Sequence, residues 1–119
     1  MTSLIAIVDD DAGVRSAIAS LVRSAGYDAC TYDSGEAFLA AAEMDRTDCL
    51  IVDMNMPGMS GLDLQTRLRE AGCPVPVVVI TARPTPQIRA EAERRGAVAF
   101  FAKPFGDDEL LTCIADNIH

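Results

Sequence analysis

The stretch Cys49-Leu50-Ile51-Val52-Asp53-Met54-Asn55-Met56-Pro57-Gly58-Met59-Ser60-Gly61 decides the fold. Its first four residues form a short apolar run, the pattern of a strand buried on both faces. The run stops at Asp53, and the proline and glycines that follow mark a loop. Three other apolar runs end in the same manner. Leu4-Ile5-Ala6-Ile7-Val8 gives way to Asp9-Asp10-Asp11, Val77-Val78-Val79-Ile80 to Thr81, and Ala99-Phe100-Phe101-Ala102 to Lys103-Pro104. In an open parallel sheet the carboxyl ends of the strands share one edge, and ligands bind there. Residues far apart in the chain would therefore meet: several carboxylates, one hydroxyl and one amine.

Working outward from these runs, strand and helix patterns alternate, which predicts βαβ units and a parallel sheet covered on both faces. Val14, Ile18, Leu21, Val22 and Ala25 recur at helical spacing, and Gly26 stops that helix. Asp28–Tyr32 predicts a weak second strand at an edge. Asp33 or Ser34 caps a second helix that runs to about Met44, with Glu36 in its first turn. Ser60 with Asp63 forms a capping box for a third helix, which buries Leu64 and Leu68 and ends at Gly72. Pro86 suits the first turn of a fourth helix, which runs to about Arg95 and stops at Gly96. This helix is the least apolar of the five, with Ile88 and Ala92 as its core candidates, and so is a candidate for motion. Leu110, Leu111, Ile114 and Ile118 place a fifth helix at the end. Crossover handedness leaves few topologies. The expected fold is a flavodoxin-like, doubly wound, five-stranded parallel sheet of order 2-1-3-4-5 with five helices, a single domain over residues 1–119.

Composition narrows the function. With 119 residues, half of them hydrophobic, the chain can bury a real core. A net charge of -8 argues against a nucleic-acid-binding surface. No apolar run approaches a membrane span. The first run is too short for a signal-peptide core and no basic region precedes it, so a cytoplasmic location is expected. Cys30, Cys49, Cys73 and Cys113 contain no CxxC spacing, and the sole histidine is the terminal His119. Zinc is therefore not expected, and the cysteines read as free buried thiols.

The acids at the strand ends need an explanation. Two carboxylates about 4 Å apart repel by roughly 4 kcal/mol at an effective dielectric near 20. A site holding Asp9, Asp10 and Asp53 must raise a pKa or bind a cation. Oxygen ligands select a hard one: Mg2+, Mn2+ or Ca2+. One aspartate, Asp11, is expected to cap the first helix, where negative charge is favoured. Lys103 can pair with an acid and later hold an anion, and Thr81 can donate to a phosphoryl oxygen. Lys103-Pro104 is a candidate cis bond. The set suits phosphoryl transfer to a carboxylate.

Val8-Asp9-Asp10-Asp11, Val52–Gly61, Ile80-Thr81-Ala82 and Lys103-Pro104-Phe105 together resemble, in order, the four signatures of two-component response-regulator receiver domains. The resemblance covers essentially the whole chain. It implies that Asp53 accepts a phosphoryl group from a phosphohistidine on a sensor histidine kinase. It also implies that Asp10, Asp53 and the backbone carbonyl of Asn55 hold Mg2+, supported by Asp9 through water. Lys103 would bind the phosphoryl group. Thr81 would turn towards it and Phe100 would follow inward, the two forming the switch. The face of helix 4, strand 5 and helix 5 would then carry the signal, with a homodimer on activation. Tyr32-Asp33-Ser34-Gly35-Glu36-Ala37-Phe38-Leu39 resembles receivers that precede the helix-turn-helix of nitrogen-fixation-type regulators. On that likeness, DNA would be bound only through an output domain absent from this chain. Three other readings compete. A haloacid-dehalogenase-like phosphatase wants an aspartate where Asn55 stands. An FMN carrier wants a Ser/Thr/Gly-rich loop where Asp10-Asp11-Ala12-Gly13 stands. A docking module would use the fold without accepting phosphate. The expectation is a signalling protein and not an enzyme.

Overall fold

A computed structural model describes residues 2–41 and 44–118. Five strands run in parallel: β1 (Leu4–Val8), β2 (Asp28–Tyr32), β3 (Cys49–Asp53), β4 (Val77–Thr81) and β5 (Ala99–Ala102). Their order across the sheet is β2-β1-β3-β4-β5, as expected, with β2 at one edge. The register pairs Val8 with Val52, Val52 with Val79, and Val79 with Phe100. Strands β1, β3 and β4 therefore end nearly level: Asp53 pairs with Ile80, Asp9 follows β1 directly, and Thr81 lies one residue further along β4.

Period-two alternation splits the sheet residues between two cores. Ala6, Val8, Leu50, Val52, Val77 and Val79 face α2 (Gly35–Ala40), α3 (Gly61–Glu70) and α4 (Pro86–Arg94). Ile5, Ile7, Ile51, Val78 and Ile80 face α1 (Ala12–Ser24) and α5 (Asp107–Asn117). Every residue of β3 and β4 is buried. Burying each of their large aliphatic side chains contributes roughly 1.5–3 kcal/mol.

The helix ends follow the local chemistry. Asp11 is the N-cap of α1, and its carboxylate accepts from the N–H groups of Gly13 and Val14. The capping box of Ser60 and Asp63 opens α3 as expected. Thr85 caps α4 ahead of Pro86. The expected second helix is too long. α2 ends at Ala40, and a single 3-10 turn, Met44–Arg46, leads towards β3. Three alanines with Met44 beyond them read as a continuing helix, but the chain must turn there to start a buried strand. The expected end of that helix falls partly on residues 42 and 43, outside the described residues, as does His119. All four cysteines are free, but only Cys49 is buried and the other three are half-buried. The short strand β2 leaves Cys30 at the sheet edge. Ala92 is the one buried residue of α4, as its weak apolar pattern predicts. No helix among the described residues is long and apolar enough to cross a membrane.

Candidate phosphoacceptor site

The carboxyl ends of β1, β3 and β5 bring Asp9, Asp53 and Lys103 together. Asp9 and Asp53 are buried, at 1% and 4% exposure, while Asp10 faces solvent. One carboxylate oxygen from each of Asp9, Asp10 and Asp53 lies within 4.8 Å of the others. Lys103 Nζ donates to Asp9 Oδ2 at 2.9 Å and stands 3.6 Å from Asp53 Oδ1. The peptide bond between Lys103 and Pro104 is cis. These groups wall an open cavity of about 370 Å3 together with Asn55, Ala82 and Arg83.

Asp9 is held on three sides. Its Oδ1 accepts from the Asp11 N–H at 2.9 Å, its Oδ2 from Lys103, and its carbonyl from Arg15 at 2.7 Å. Asp53 is held far less. Its Oδ1 is buried and has no hydrogen-bond partner. Burial pushes the Asp53 carboxyl above its ordinary value, and the negative charge of Asp9 pushes it further. Lys103 and the Asn55 backbone N–H pull the other way but do not cancel the rise. For Lys103, burial alone would lower the pKa, but its bond to Asp9 and the charge of Asp53 outweigh this and raise it. The cavity thus holds one carboxylate oxygen that is desolvated, unsatisfied and beside a cation. An unsatisfied buried charge is costly and is eased by a proton, a cation or a covalent partner.

The donor set fits a hard cation: three carboxylates, no nitrogen or sulfur ligand, and an orphaned buried oxygen among them. It is the one such acidic group among the described residues.

Thr81 ends β4, as expected, with its hydroxyl turned to the neighbouring loops. It is fully buried, and its Oγ1 accepts from Asn55 Nδ2 at 2.9 Å and from the Arg83 N–H at 3.1 Å. Phe100 lies in β5, half-buried against the α4 side of the sheet, with the Arg89 guanidinium 5.9 Å from its ring centroid. Neither side chain reaches the acidic group here.

Two residues that position the site escape the sequence patterns. Arg15 ties the first turns of α1 to the end of β1 through the Asp9 carbonyl. Gly61, the first residue of α3, lets the loop close on β3. A Cβ there would lie 2.7 Å from the Asp53 carbonyl oxygen and 3.0 Å from Met54 Cα. Since α3 already has a serine cap and Gly61 has no positive φ, close approach is what requires glycine. A glycine directly after a good cap was the available signal.

Residues 5–115 match the family described as the response regulator receiver domain. The chain is 42% identical over 112 residues to the response regulator protein TodT of Pseudomonas putida, covering 94% of this chain and 49% of the relative. It is 35% identical over 112 residues to the transcriptional regulatory protein FixJ of Bradyrhizobium diazoefficiens, covering 94% of this chain and 55% of that protein. Among solved structures, the chemotaxis protein CheY4 of Vibrio cholerae superposes with a TM-score of 0.90 at 28% identity, covering 99% of this chain and all of that one. The chain spans about half the length of the two regulators.

Proposed function

The chain belongs to the response regulator receiver domain family, and from that premise we propose that residues 1–119 act as a phosphorylation switch with Asp53 as phosphoacceptor. The observation that carries this reading is Asp53 Oδ1: buried, without a hydrogen-bond partner, and 3.6 Å from Lys103 Nζ. Such an oxygen is free to form a bond to phosphorus. In the transfer, an Asp53 oxygen attacks the phosphorus of a phosphohistidine on a sensor histidine kinase. The P–N bond breaks, and the imidazole nitrogen leaves with the electron pair.

The other residues take roles around that step. Lys103 follows the charge: its ammonium faces both Asp9 and Asp53 and can hold the phosphoryl oxygens as they arrive. Asp10, Asp53 and the Asn55 backbone carbonyl are the proposed ligands of Mg2+, with Asp9 supporting it through water. Bound there, Mg2+ neutralises charge on the phosphoryl oxygens. Thr81 is the hydroxyl that reads the phosphoryl group, and Phe100 is the side chain that transmits the change. The phosphoryl group adds about 1.5–2 negative charges and strong acceptors beside them. We place the exchange in the cytoplasm, where free thiols such as these four persist.

The signal would leave through the face of α4, β5 and α5, promote a homodimer there, and control transcription through an output domain beyond this chain. The relatives that support the last step are named as response or transcriptional regulators and are about twice as long. DNA contact belongs to that further domain.

Intact-protein mass spectrometry after treatment with acetyl phosphate and Mg2+ tests the reading. One phosphoryl adduct that requires both Mg2+ and Asp53, and is lost in Asp53→Asn, is the expected result. No adduct, with beryllofluoride also failing to bind, would leave a docking module. Size-exclusion chromatography with light scattering, with and without beryllofluoride, tests the dimer; an unchanged monomer counts against it.

A further inference from the structure

The Asn55 side chain has no part in the chemistry above, yet it makes the one side-chain contact that occupies the switch hydroxyl. Thr81 is fully buried, whereas Asn55 is exposed and walls the acidic cavity. A hydroxyl has two lone pairs and one proton. Both lone pairs of Thr81 Oγ1 are in use, one by Asn55 Nδ2 at 2.9 Å and one by the Arg83 N–H at 3.1 Å. A phosphoryl group offers only acceptors, so Thr81 must bring its O–H to the cavity in order to read it. Both bonds stabilise Oγ1 where it now sits, so moving the hydroxyl into the cavity works against them.

On the reading that Asp53 is phosphorylated, we infer that the Asn55 side-chain amide is a latch on Thr81, holding the hydroxyl out of the acidic cavity until the phosphoryl group competes for it. Asn55 thus acts twice, through its backbone near the cation and through its amide on the switch. As a positioning residue it touches Thr81 and not the phosphorus. Because Asn55 is exposed, water replaces its lost partner, so the latch opens at modest cost. A single bond of this kind shifts a two-state balance by up to about tenfold.

Arg83 supplies a readout at one residue. Its amide proton is protected by Thr81 Oγ1, so its hydrogen exchange reports where the hydroxyl sits. Exchange is measured by NMR on unphosphorylated, metal-free protein for wild type, Asn55→Ala, Thr81→Val and the double variant. Thr81→Val keeps the buried volume and sets the ceiling for an Arg83 amide without its acceptor. Asn55→Ala is expected to speed Arg83 exchange about three- to tenfold and to add nothing in the Thr81→Val background. Unchanged Arg83 exchange in Asn55→Ala would overturn the latch. So would an equal acceleration with Thr81→Val already present, which would mean that the loop had merely loosened. Beryllofluoride with Mg2+ is expected to speed Arg83 exchange in the wild type; a bound mimic that leaves it unchanged also overturns the latch. Absence of any Asp53 adduct by mass would instead overturn the phosphoacceptor reading, independently of Arg83.

Discussion

Strands β3 and β5 belong to one sheet, separated only by β4, and they are packed to opposite standards. All five residues of β3 are buried. None of the four residues of β5 is buried, and the residue just before it, Val98, is 45% exposed. The helices beside them repeat the contrast. α3 buries Leu64, Gln65 and Leu68, while α4 buries Ala92 alone. α4 is tied to α3 near its carboxyl end. Gln65 donates to the Ala92 carbonyl and Arg95 to Thr66, whereas the first turns of α4 carry half-buried Ile88 and the Arg89–Phe100 contact. Precision is concentrated on one side of the sheet. The acid proposed to react sits on a strand buried along its whole length, and the elements proposed to signal include a strand with no buried residue.

Substitutions on the two sides test the contrast. Ile51→Ala in β3 should cost the most, about 3–4 kcal/mol in urea unfolding; a cost under 1 kcal/mol would show that β3 is not the rigid element. Next, Lys103→Met leaves Asp9 buried and short of its cation. With the lysine side chain 20% exposed, a loss of about 2 kcal/mol is expected, measured as a shift in denaturant midpoint without a change in slope.

Asp53→Asn should do the reverse. The folded state raises the Asp53 pKa, so folding favours the protonated acid, and ionised Asp53 costs stability as pH rises through the raised value. At pH 7 the variant should be more stable by on the order of 1 kcal/mol. The gain should vanish below about pH 4, where the carboxyl is neutral even in the unfolded chain. Thermal melts across that range check it, and a gain independent of pH would point away from charge. The smallest effect belongs to Arg89→Ala. Its contact with Phe100 and its exposed pair with Glu93 should together be worth about 0.5 kcal/mol, and less in high salt. A loss above 2 kcal/mol would mean that α4 is held more firmly than its burial indicates.

The fold was legible because the apolar runs are short, end in polar residues and alternate with helical spacing. Strand ends gave the site directly: Asp9, Asp53 and Lys103 meet because parallel strands of similar length stop together. Capping chemistry placed the starts of α1, α3 and α4. The end of α2 was not legible, since alanine is favourable in a helix and nothing local tells the chain to leave it before Met44. The Asn55–Thr81 bond, the Arg15 clamp and the Gln65 tether were not legible either. Each joins a side chain to an atom of another element, and such contacts leave no periodic trace in sequence. Thr81 shows the limit: its place at a strand end was readable, but the direction of its hydroxyl depends on a residue 26 positions away.

The Lys103–Asp9 bond joins residues 94 positions apart in a chain of 119. A ribosome therefore releases the acids long before the base that compensates them. A nascent chain grown through β4 carries Asp9, Asp10 and Asp53 with no ammonium beside them. Until β5 docks, their mutual repulsion opposes closure of the very edge where they meet. Synthesis order thus makes the last strand the keystone for the first, and a chain cut before β5 loses its counter-charge as well as a strand.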